Sequence, residues 1–124
     1  MKTKIEKVRE FQKIGLQKVN DKPTVNEFKD CSLRFELARE ENMEYISACY
    51  DGDKVEILDA LVDQMYVLLG TINFHGMQDI FDEAFNRVHE NNLTKFPNGK
   101  VLRNPDGKIL KPEGFKSVNL SDLV

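Results

Sequence analysis

From Asp53 to Phe74 the chain reads DKVEILDALVDQMYVLLGTINF. Wound as a helix, this stretch is apolar on nearly every side, through Val55, Ile57, Leu58, Leu61, Val62, Met65, Val67, Leu68 and Leu69. A helix of that kind belongs at the centre of a fold or at an interface. Its small polar surface is acidic: Glu56, Asp59 and Asp63 fall within roughly 60° of one another on the helical wheel. Tyr66, Val67, Gly70 and Phe74 extend that strip, and Gly70 leaves room for another backbone or a ligand. In the preceding segment, Glu40, Glu41 and Glu44 share an arc of roughly 100° with Leu33, Leu37 and Ala48. These acids interrupt an apolar stripe instead of lying opposite it. Clustered carboxylates repel one another, and burial raises their pKa values. A hard divalent cation, Mg²⁺ or Mn²⁺, relieves both penalties. The competing reading is a solvated acidic face, and the scarcity of other polar surface on this helix weakens it.

The remaining elements follow from periodicity and punctuation. Ile5, Val8, Phe11 and Ile14 mark a first helix over residues 3–19, with Gly15 weakening its end. Asn20 to Phe28 reads as a loop, broken by Pro23 and its Asn/Asp neighbours. A second helix is expected to start at Asp30 or Ser32, either of which can cap it, and to stop at Tyr50 before Asp51-Gly52-Asp53. The third helix ends at His75-Gly76, and a fourth covers residues 78–94. Beyond Phe96, Asn104-Pro105-Asp106-Gly107 sits between two short segments and predicts a β-hairpin. Pro112 and Gly114 open an irregular tail. The expectation is one all-α domain over residues 1–124, a four-helix bundle over 3–95 with a hairpin and tail over 97–124.

Composition narrows the function. With a net charge of −3 and 31% charged residues, the chain lacks the basic balance of a nucleic-acid binder. No apolar run approaches the ~18 residues a membrane span needs. The charged start MKTKIEKVREFQK lacks an apolar signal region, and Cys31 and Cys49 read as reduced core thiols, so a cytoplasmic location is expected. No P-loop, HExxH or inward Glu-x-x-His pattern occurs, which removes the commoner nucleotide, zinc and di-iron chemistries.

EENME at residues 40–44, followed by EILDALVD at 56–63, resembles the EExxE…ExxD signature of the MazG-type nucleotide pyrophosphohydrolases. That all-α superfamily also holds phosphoribosyl-ATP pyrophosphohydrolase and dimeric dUTPases. LVDQMYVLLGTINFHG, FDEAFNRVHENNLTKF and GKVLRNPDGKILKPEGF extend the likeness over about residues 5–115, toward a small subgroup met in phages and bacteria. The resemblance implies a MazG-like bundle that oligomerises, as a homodimer or homotetramer. It also implies Mg²⁺, with Mn²⁺ as the alternative, and a nucleoside triphosphate cleaved to monophosphate and pyrophosphate.

Carried over by position, Glu41 and Glu44 match metal ligands. The closing Asp of the motif has two matches. Glu56-Ile57-Leu58-Asp59 fits by letters; Asp63 fits by its place before the apolar run, and the motif's Glu then falls on Ala60. Asp63 is favoured, with Asp59 one turn away as its partner. Glu40 and Glu56 would stand behind the ligands, and Glu40 or Glu41 would activate water.

On the fourth helix, Asn91, Asn92 and Lys95 continue the apolar arc past Val88. They suit a phosphate or sugar, or else cap a fraying helix end. Lys111, Lys108 and Gln12 complete the substrate-contact candidates, Gln12 together with Phe11 as a contact to the base. The rival readings are a module that dimerises through its third helix and a family member that binds nucleotide without cleaving it.

Overall fold

The computed structural model describes residues 1–124 and is all-helical, with four α-helices. The chain divides into two compact units, Met1–Gln78 and Asp79–Val124.

The first unit holds α1 (Lys4–Ile14), α2 (Phe28–Asp51) and α3 (Lys54–Phe74). Thr3 and Glu6 start α1 with a reciprocal capping box, each side chain taking a backbone N–H of the other residue. The helix ends five residues earlier than periodicity suggests, because the chain turns away at Gly15 and at Leu16, whose φ is +59°. Neither Asp30 nor Ser32 caps α2. It begins earlier, with Glu27 as its cap residue, after Asn26 has redirected the chain at φ +72°. Glu27 contributes its carbonyl, which accepts from Asp30 and Cys31 N–H, and no side-chain bond.

Gly52 ends α2 in the left-handed region, and the Asp53 carboxylate then accepts from the N–H groups of Val55 and Glu56. This tight link folds α2 and α3 into a helical hairpin, and α1 packs against α3 as well.

The apolar core of this unit is small: Val8, Ala48, Ala60, Ile72 and Phe74. Two buried amides supplement it. Gln12 donates to the Gly70 carbonyl at 2.9 Å, and Asn73 donates to Gln12 Oε1 and to the Ile5 carbonyl. Gln12 is therefore a pin between α1 and α3. At 1% exposure it is not placed to meet a base, contrary to the sequence expectation. Its companion Phe11 lies edge-on against Tyr66, at 5.5 Å between ring centres. The loop before α2 is drawn against the end of α3, where Asn20 and Asn26 both donate to the Phe74 carbonyl. A Cβ on Gly76 would lie 2.1 Å from the Lys22 carbonyl oxygen, so glycine is required at that crossing.

The second unit holds α4 (Phe81–Leu93) and the segment that follows it. The predicted turn forms: Asn104 Oδ1 accepts from the N–H groups of Asp106 and Lys108. The predicted hairpin does not. One isolated antiparallel bridge, Arg103 to Ile109, is all the pairing there. The flanking Val101, Leu102 and Leu110 are 40–52% exposed, so no buried face holds strands together, and a lone two-stranded ribbon is marginal. Arg87 clasps the tail to α4, bonding both Asp122 carboxylate oxygens and Glu83. No helix of the chain is long and apolar enough to cross a membrane.

Candidate functional site

The helical hairpin positions the acids. Glu41 and Glu44 project from α2 one turn apart, and Asp63 meets them from α3. A carboxylate oxygen from each lies within 4.8 Å of the other two. Glu41 and Asp63 are half-buried, while Glu44 is exposed. Shielding from water is uneven within Glu41: its Oε2 is fully buried and bonds to nothing. Desolvation pushes the Glu41 carboxyl above the usual range, and the Glu44 and Asp63 charges add to that push. A buried, unbonded carboxylate oxygen beside two more carboxylates is a costly arrangement that a cation would relieve. The donor set, all oxygen and all carboxylate, fits a hard divalent cation.

The other acids lie elsewhere. Glu56 and Asp59 line an adjoining cavity of about 420 Å³ with Glu44, Asp51, Ala48 and Ala60. Neither joins the close group of three. Glu40 is exposed. Ala60 is 3% exposed and Ala48 6%, so small side chains let α2 and α3 approach at this level. Gln64 donates to Asn42 at 2.9 Å and ties the same two helices together.

In the second unit, Lys95 and Lys111 converge on one ring. Their ammonium groups lie 5.6 and 5.8 Å from the centre of Phe115. Asn91 is half-buried and lines two cavities of this unit, of about 670 and 300 Å³. Asn92 is exposed, and its carbonyl accepts from Lys95 N–H at the helix end. Sequence reasoning missed Phe115. The signal available was an aromatic residue in a charged tail, spaced four residues from Lys111.

Fold and cluster define a class first: an all-α protein whose helical hairpin holds three carboxylates within reach of one ion. The chain belongs to the phosphoribosyl-ATP pyrophosphohydrolase family, within the MazG-like all-α superfamily, and the family profile matches residues 8–92. The matched span takes in α2 and α3 whole, with all three clustered acids. The family is one of phosphoanhydride pyrophosphohydrolases and typically uses a divalent metal. No curated protein matches the chain.

Proposed function

We propose that the chain is a metal-dependent nucleoside triphosphate pyrophosphohydrolase that releases a monophosphate and pyrophosphate. A related phosphoanhydride such as phosphoribosyl-ATP is the neighbouring substrate class. The observation that carries this reading is the group formed by Glu41, Glu44 and Asp63, with its unbonded Glu41 oxygen, inside the family match.

These three residues would hold Mg²⁺, or Mn²⁺ in its place, with Glu56 and Asp59 in the adjoining cavity as further oxygen donors. A bound cation supplies charge neutralisation on the phosphate oxygens. Glu40 or Glu41 would accept the proton of the attacking water, so no side-chain nucleophile is needed. Asn91, Asn92, Lys95 and Lys111 are the proposed nucleotide contacts, and the pairing of both lysines on Phe115 supports a role in holding anionic oxygen.

A homodimer or homotetramer in the cytoplasm completes the reading. The chain leaves 9687 Å² accessible, whereas a folded monomer of 14.3 kDa exposes about 6,800 Å² and two separate units of these sizes about 8,100 Å². Val55, Leu58, Leu61, Val62 and Met65 of α3 are each 47–73% exposed, which suits burial against a second copy.

A nucleotide panel with Mg²⁺ and with Mn²⁺, scored for monophosphate and pyrophosphate, tests the reaction. Absence of product from every nucleotide overturns it. Orthophosphate release in place of pyrophosphate overturns the bond assigned. Ala60, standing where the motif has Glu, favours the second reading, a protein that binds nucleotide without cleaving it.

A further inference from the structure

Arg34 is the arginine of the first unit without an acidic partner. Arg9 pairs with Asp21, and Arg39 pairs with Glu36. Arg34 instead lies half-buried between α2 and α3, donating from Nε to Thr71 Oγ1 at 3.0 Å and from Nη2 to the Val67 carbonyl at 2.7 Å. The seam is shaped around it: a Cβ on Gly70 would come within 2.6 Å of Nη2. Nη1 has no protein partner. Burial works against the charged form, yet a guanidinium stays protonated, so a half-buried cation stands without a counter-charge.

Its position along the seam gives that cation a use. Arg34 precedes Glu41 on α2 by two turns, about 10 Å of helix axis. On α3 its contacts Val67 and Thr71 follow Asp63 by one and two turns. One inter-helix seam thus carries three carboxylates toward one end and an uncompensated guanidinium toward the other. A bolt between helices needs only the donors already used on α3. The free edge of the fork suits an oxyanion, which a guanidinium binds with directed hydrogen bonds.

We propose that Arg34 binds phosphate oxygens of the substrate, anchoring the phosphate chain at the end of the α2/α3 seam away from the carboxylates. The identity of the anion rests on the pyrophosphohydrolase reading above; the need for an anion rests on the guanidinium itself.

Inorganic pyrophosphate is the probe, titrated into the full chain without metal and with Mg²⁺, while the Arg34 Nε–H resonance is followed by NMR. The expected result is a saturable shift of that resonance. In calorimetry, Arg34→Gln should bind pyrophosphate about tenfold or more weakly. Arg39→Gln removes the same charge from the same helix and should bind within about twofold of the parent, as expected for an exposed pair. An unmoved Arg34 resonance, or equal losses in the two variants, overturns the proposal. If Arg34→Gln does not fold, the resonance of the parent chain decides alone. The two readings fail separately. An Arg34 shift in a chain that cleaves no nucleotide keeps the anchor and removes the reaction. Turnover without an Arg34 shift does the reverse.

Discussion

The two halves of α3 are built on opposite terms. Toward its C-terminus Gly70, Ile72, Asn73 and Phe74 are buried, and the backbone there is held by Gln12, Asn20 and Asn26. Toward its N-terminus Val55, Leu58, Leu61 and Val62 face solvent beside Glu56, Asp59 and Asp63. A single chain therefore completes the fold at one end of the helix only. The other end carries carboxylates without counter-charge and apolar side chains without cover. On the reading proposed above, a cation would answer the first lack and a second copy the second.

The largest effect expected from breaking this contrast is on chemistry. Glu44→Ala removes an exposed member of the acid group and should cost about a hundredfold or more in turnover, with helical circular dichroism retained. An active variant would take Glu44 out of the site. Next comes stability. Phe74→Ala, at 3% exposure, should destabilise by about 3–5 kcal/mol in denaturant titration. Leu58→Ala, at 63% exposure, should change the stability of the isolated chain by less than about 0.5 kcal/mol. In a dimer that buries Leu58, the Leu58→Ala loss becomes larger and depends on protein concentration. Equal, concentration-independent losses in the two variants would erase the distinction between the halves.

Ala60 tests the acidic half from another side. It lines the cavity next to the acid group but is 3% exposed where α2 and α3 approach, so Ala60→Glu would add a carboxylate beside Glu44 only by crowding that seam. The expected outcome is tighter Mn²⁺ binding by calorimetry, together with a less stable metal-free protein, because another acid joins a repelling set. Unchanged affinity would show that the Ala60 position does not reach the ion.

Periodicity made the acid group legible. Residues 41, 44 and 63 recur at helical spacing on stripes that are otherwise apolar, so their convergence needs only that two helices pack. It also grouped Asp59 with Asp63 on one strip, whereas only Asp63 joins the close group and Asp59, one turn away, lines the adjoining cavity. Buried polar pins were illegible for a physical reason. Gln12 looks the same in sequence whether it faces water, a base or the Gly70 carbonyl, and only the approach of α1 to α3 decides. Arg34 drew no reading from the sequence, because its partners are a carbonyl and a hydroxyl, groups that carry no sequence signal. The hairpin failed because its turn chemistry was sound and its packing was absent.

The contrast between buried and exposed polar contacts extends to the second unit, where the smallest effect is expected. Gln12 and Asn73 bond away from water, whereas Arg87 and Asp122 pair at the surface. Hydrogen bonds from Arg87 hold the Asp122 carboxyl below its ordinary value of 3.8. A lowered folded pKa means that the tail contact is fully present above that ordinary value. It is lost as the pH falls further, through the lowered one. Acidification below about pH 3.8 should therefore loosen the residues around Asp122 from α4, seen as movement of the amide resonances of Asn119 to Leu123. Arg87→Gln should return Asp122 to ordinary titration and abolish that coupled movement at low pH. Salt should weaken the Arg87–Asp122 contact and leave the Gln12–Asn73 pin untouched, because counter-ions screen exposed charges and do not reach a neutral buried amide pair. Equal salt sensitivity at the two places would mean that the pin is as open to water as the clasp.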